Sequence, residues 1–181
     1  WQNDKEMIYP DQFIPVLEKN GYVIDVDNFI WNKVCACIKM MEDEGIEPVP
    51  ISVNVSRMHV YQEKFTENLK DMAGKYGIDP KYIPLEITES AFTKEEGSLF
   101  KKVQSLQGYG FKFSMDDFGS GYSSLGMLKS ERVDEVKIDK TFVDDIATDK
   151  GKVLLGNVIR MINELGIDMI AEGVETKEQA D

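Results

Sequence analysis

Five times along the chain, a short run rich in β-branched residues leads through a turn into a longer stretch with helical spacing, and the runs begin roughly thirty residues apart. That interval holds one crossover helix between parallel neighbours, so the chain reads as repeated right-handed βαβ units of an α/β fold. Strands are predicted at Pro50 to Val55, Ile83 to Thr88, Phe111 to Asp116, Glu135 to Asp139 and Asp168 to Ala171. Helices are predicted at Val60 to Tyr76, Lys94 to Gln107, Lys150 to Leu165 and, shorter, Ser123 to Lys129. Upstream, Pro10 to Lys19 carries an apolar face of Phe13, Ile14 and Leu17, and Asp25 to Glu44 one of Phe29, Ile30, Val34, Ile38 and Met41. Gly77, Gly110 and Gly166 fall between a helix and the next strand, where a helix-ending glycine belongs.

Both an open doubly wound sheet and a closed barrel satisfy this alternation. No G-x-G-x-x-G or G-x-x-x-x-G-K-[ST] follows a strand, which removes the best support for a nucleotide-binding open sheet and favours a TIM-type (β/α)8 barrel. Five strands cannot close a barrel of about eight. Residues 1–181 are therefore expected to be a single partial domain, truncated at both ends and carrying an incomplete set of strands.

With 33 acidic against 21 basic residues and a formal charge of −12, the chain is ill suited to gripping DNA or anionic lipid directly. A phosphate ester would have to be bridged to it by cations. No run reaches the length of a membrane span and the first residues lack a signal-peptide layout, so the expected location is cytoplasmic. Cys35 and Cys37 are too few for a disulfide framework and are expected to be buried thiols.

Each predicted strand finishes on polar residues that a plain core strand does not need: Asn54; Glu86 with Glu89; Asp116 with Asp117; Lys137 with Asp139; Glu172 with Glu175. In a parallel barrel these ends converge on one mouth. Packed carboxylates resist joint ionisation unless cations hold them, and the hard oxygen donors of this set suit magnesium or manganese. The adjacent pair Asp116-Asp117 is suited to touching two ions about 3.5–4 Å apart, a common device for attacking phosphodiesters. Lys137, the one cation of the set, is placed to orient the attacking water or offset phosphate charge. Each residue also has a plain structural reading: Asn54 as a strand-end cap, Asp116-Asp117 ahead of Gly119 as turn chemistry, Glu172 to Glu175 as a solvated helix start. His59, the sole histidine, reads as a surface side chain on a loop, which leaves histidine-based nucleophilic chemistry and zinc poorly served.

These residues lie in motifs. Ser52-Val53-Asn54-Val55-Ser56, Glu86-Ile87-Thr88-Glu89-Ser90, the ten residues from Asp116 to Leu125, Lys137-Ile138-Asp139 and Ala171-Glu172-Gly173-Val174-Glu175-Thr176 resemble, in order and spacing, the motifs of the EAL-domain cyclic-di-GMP phosphodiesterases. The resemblance implies a barrel that hydrolyses cyclic di-GMP to linear pGpG in bacterial second-messenger signalling, with two magnesium or manganese ions. It implies Asn54, Glu86, Asp116, Asp117 and Glu172 as metal ligands, Asn54 and Asp116 also facing substrate, and Pro10 beside the bound dinucleotide. Lys137 would hold the water, with Glu172, Glu175 and Glu89 in the catalytic set. Glu89 and the loop from Phe118 to Leu125 would couple the metal site to a homodimer. GGDEF or sensory domains are implied as neighbours in the full-length protein, any membrane anchor lying outside this segment. The family's namesake Glu-Ala-Leu stretch, the arginine after it and the final Q-G-Y/F strand would flank this segment. Two other readings stay open, a receptor that binds cyclic di-GMP without cleaving it and a metal-dependent enolising barrel.

Overall fold

The computed structural model describes residues 7–92, 96–120, 128 and 133–180. Two helices, α1 (Pro10–Asn20) and α2 (Val23–Asp43), precede the strands β1 (Val53–Asn54), β2 (Leu85–Thr88), β3 (Phe113–Phe118), β4 (Glu135–Ile138) and β5 (Asp168–Ala171). Between strands run α3 (Arg57–Val60) and α4 (Phe65–Tyr76), then α5 (Glu89–Phe92) and α6 (Glu96–Gln107), then α7 (Lys140–Asp144) and α8 (Asp149–Glu164) after β4. A last helix, α9 (Lys177–Ala180), follows β5.

All neighbouring strands are parallel, and the sheet order β1-β2-β3-β4-β5 is the chain order. A doubly wound sheet must reverse direction at a switch point. Here every crossover steps the same way, so right-handed connections leave the helices on one face and the strands form an arc of a (β/α)8 barrel.

Period-two alternation divides the faces. Val53, Leu85, Ile87, Val136 and Ile138 are buried among the helices, joined by Leu69, Leu99, Leu106 and Ile162. Asn54, Glu86 and Lys137 are the intervening residues and point to the concave face. Caps bound the helices locally: Asp139 Oδ1 accepts the Thr141 N–H at the start of α7, and Thr148 Oγ1 accepts the Gly151 N–H at the start of α8.

Each predicted strand has its counterpart, but four expectations change. The helix predicted from Val60 to Tyr76 is two helices, α3 and α4, the second ending at Gly77. The buried stripe of α2 is Val23, Asp27, Trp31, Cys35 and Ile38, while Phe29 and Ile30 are exposed at 63% and 45%. Helix α2 is apolar over much of its circumference, and the stripe that faces the sheet includes an aspartate that a hydrophobic count passes over. His59 is helical and 2% exposed, its ring packed 4.4 Å from that of Trp31. Cys35 is fully buried, which pushes its thiol up to about 11, whereas Cys37 is only partly covered. The predicted helix from Ser123 to Lys129 lies outside the described residues apart from Leu128, which is buried.

Candidate active site

An unbroken strand would send Asp116 and Asp117 to opposite faces. β3 avoids this with a bulge. Met115 pairs with Val136 and Phe118 with Ile138, so both aspartates stand opposite Lys137 alone. Asp117 absorbs the extra residue by adopting φ +56°, a left-handed conformation that aspartate tolerates better than most side chains. Both carboxylates thereby reach the concave side, and Phe118 returns to the core at 2% exposure.

Glu172 arrives from the next strand but one, its N–H donating to the Ile138 carbonyl at the end of β4. Asp116, Asp117 and Glu172 each offer an oxygen within 4.8 Å of the others. Lys137 Nζ lies 2.7 Å from Glu172 Oε1, 2.9 Å from Asp116 Oδ1 and 3.2 Å from Glu86 Oε2. Burial acts to lower the Lys137 pKa, but the hydrogen bonds to Glu172, Asp116 and Glu86 outweigh it and hold the pKa well above 10.5. Lys137 is a fixed cation whose three protons face three carboxylates. Asp117 is shifted upward, first by burial and then by repulsion from Asp116, Asp139 and Glu172, with Lys137 opposing.

Asn54 stands in register with Glu86 across β1 and β2. The two help line a cleft of about 640 Å³ with Pro10, Phe13, Arg57 and Thr88, so Pro10 is brought to the concave side as well. Glu89 is elsewhere: 1% exposed, it sits behind the aspartate pair and accepts the Gly119 N–H at 3.0 Å. Gly119 has φ +93°, and a side chain there would lie 2.1 Å from the Phe142 ring of α7. Glu175 is not gathered in. The turn at Gly173, whose Cα is pressed on Lys140, carries Glu175 outward to 72% exposure, 3.4 Å from Lys140 Nζ. The strand-end pattern offered no hint of Arg57, Thr88 or Ser90 on the cleft wall. Residues 121–127, which include most of the loop tied to dimerisation by the resemblance, lie outside the described residues.

The profile of the EAL domain matches residues 1–181. The chain belongs to the EAL domain family. This EAL domain is 36% identical over 171 residues to the oxygen sensor protein DosP of Escherichia coli, covering 94% of the chain and 21% of DosP. It is 28% identical over 181 residues to MucR of Pseudomonas aeruginosa, named a bifunctional diguanylate cyclase/cyclic di-GMP phosphodiesterase, covering 99% of the chain and 26% of MucR. The chain thus spans about a fifth to a quarter of these curated relatives. The structure of the MucR phosphodiesterase in complex with c-di-GMP superposes on the EAL domain with a TM-score of 0.91 at 28% identity, covering 99% of this chain and 73% of that one. The TIM-type barrel arc is the fold of these relatives.

Proposed function

We propose that this EAL domain is the catalytic portion of a metal-dependent cyclic-di-GMP phosphodiesterase that opens one phosphodiester to give linear pGpG. The observation that carries the reading is the bulge of β3, which aims two adjacent carboxylates into a mouth shared with Glu86, Lys137 and Glu172. The MucR structure holding c-di-GMP supports the choice of substrate.

The donor set fits a hard divalent cation: three carboxylates offer oxygens within 4.8 Å of one another, with Glu86 joined to them through Lys137. Asn54, Glu86, Asp116, Asp117 and Glu172 are the proposed ligands of magnesium or manganese. When bound, such ions supply charge stabilisation for the phosphoryl oxygens and a more acidic water. Lys137 remains protonated and keeps Glu86, Asp116 and Glu172 together, so it is a fixed charge and not a base. Glu172, the most open of these carboxylates at 36% side-chain exposure, is placed to take the proton of the attacking water through its second oxygen. The water oxygen bonds to phosphorus as the bond to the ribose oxygen breaks, that oxygen leaving as a hydroxyl with a proton from solvent, and the apolar wall at Pro10 and Phe13 borders the face on which a nucleobase would rest. The reading extends to a bacterial cytoplasmic setting, a homodimer through the loop after Asp117, and GGDEF or sensory neighbours, a pairing echoed by the names of MucR and DosP.

Replacing one aspartate tests it. In the complete protein, Asp116→Asn is expected to cut manganese-dependent formation of pGpG by roughly 100-fold or more while the fold survives. Turnover within about threefold of wild type sinks the ligand assignment. Binding of cyclic di-GMP by the wild type with no product at any metal concentration supports a receptor instead.

A further inference from the structure

β1 has hydrogen-bonding groups along two edges. The Val53 and Val55 N–H groups donate to the Pro84 and Glu86 carbonyls, so those residues pair toward β2. Strand alternation turns the Asn54 carbonyl and the Ser56 N–H to the other edge, where backbone groups still require partners. Helix α2 provides both. Trp31 Nε1 donates to the Asn54 carbonyl at 3.0 Å, and the Ser56 N–H donates to Asp27 Oδ2 at 3.2 Å. Asp27 and Trp31 are one helical turn apart, 8% and 2% exposed. His59 backs the pair, its ring 4.4 Å from Trp31 and its Nε2 3.1 Å from Asp27 Oδ2, a close approach without hydrogen-bond geometry.

These contacts hold the backbone immediately after the side chain of Asn54, which stands on a strand of two residues and is held by β2 on the other edge. Metal ligands need placement to within about 0.5 Å, and so short a strand cannot give this unaided. We infer that Asp27 and Trp31, backed by His59, are positioning residues that act as a side-chain clamp on β1 and set the reach of the Asn54 amide into the metal site. The inference rests on the proposed role of Asn54 as a ligand.

Manganese affinity, read by titration calorimetry on the complete protein, tests the clamp without recourse to turnover. Trp31→Phe keeps an aromatic ring against His59 and Phe65 and deletes the donor. Asp27→Ala deletes the acceptor, and Asp27→Asn keeps one. Trp31→Phe and Asp27→Ala are each expected to weaken manganese binding roughly tenfold, as loss of an outer-shell partner does, with Asp27→Asn restoring most of it. Asn54→Ala should weaken binding too, and in that background Trp31→Phe should cost nothing further, because its effect passes through Asn54. Should Trp31→Phe fail to melt cooperatively, the two Asp27 variants carry the comparison. Unchanged affinity in Trp31→Phe and Asp27→Ala, or equal losses with and without Asn54, overturns the clamp alone. Unchanged affinity in Asn54→Ala overturns the ligand reading, and the clamp with it.

Discussion

Asp117 combines a left-handed backbone with a carboxyl that resists ionisation. Because that carboxyl holds its proton more tightly in the fold than in the unfolded chain, the folded state is the proton-richer one. Asp117 therefore costs no stability below its ordinary value of 3.8 and costs progressively more as pH rises through the raised value. Other carboxylates titrate nearby, so the comparison is with Asp117→Asn, a residue that also tolerates positive φ. The melting temperature of metal-free wild type minus that of Asp117→Asn is expected to fall as pH rises from about 4, and a flat difference contradicts the shift. Lys137 stays charged across this range, so its effect is read kinetically. Lys137→Met is expected to lower kcat by roughly 100-fold and change KM little, because the cluster it holds matters most in the transition state. A rise in KM with kcat retained would make Lys137 a substrate clamp.

At the scale of elements, the end of β3 is held from two sides, by Glu89 on the Gly119 N–H and by the Phe142 ring against the Gly119 Cα. Gly119→Ala is expected to cost about 2 kcal/mol, from both the ring clash and the positive φ. Adding Phe142→Ala should return the steric share and leave the backbone share, as chemical denaturation of the single and double variants would show; no recovery at all means the clash is not with Phe142. Much of this element was legible in the residues. The strand, its two acids and the glycine after them all stand out, since each strand end carries a polar side chain that burial would not select. The bulge does not, because strict alternation puts Asp117 on the helix face and ends the strand at Asp116, two residues before the pairing of Phe118 with Ile138 reveals the extra residue. Nearness in sequence joins Glu175 to Glu172, and the turn at Gly173 separates them. His59 looked like a surface residue because the partner that buries it, Trp31, is distant in the chain.

Over the whole molecule, spacing leaves an open sheet and a barrel both standing, the lack of a glycine-rich nucleotide loop favours the barrel, and the pairing of five strands in chain order agrees with it. The cleft is not legible in this way, because its walls come from α1, α2 and the ends of β1 and β2, which meet only in space. Among the described residues no strand pairs with the far edge of β5, and Ile170, in register with Lys137 on the concave face, is 45% exposed. A parallel arc with a bare edge at β5 invites pairing with another chain. The 181-residue chain by itself is expected to elute as larger species whose share grows with concentration, and a monodisperse monomer melting cooperatively would contradict this.

Without Asp117, Met115, Asp116 and Phe118 would alternate without interruption against Val136, Lys137 and Ile138. The strand would be more regular, its backbone relieved of the positive φ, and the mouth would keep its cleft while holding one acid fewer. Loss of a single codon would thus take one proposed ligand out of the mouth while leaving the register of the sheet intact, at the expense of the hydrogen bond that the Ser120 N–H donates to the Asp117 carbonyl.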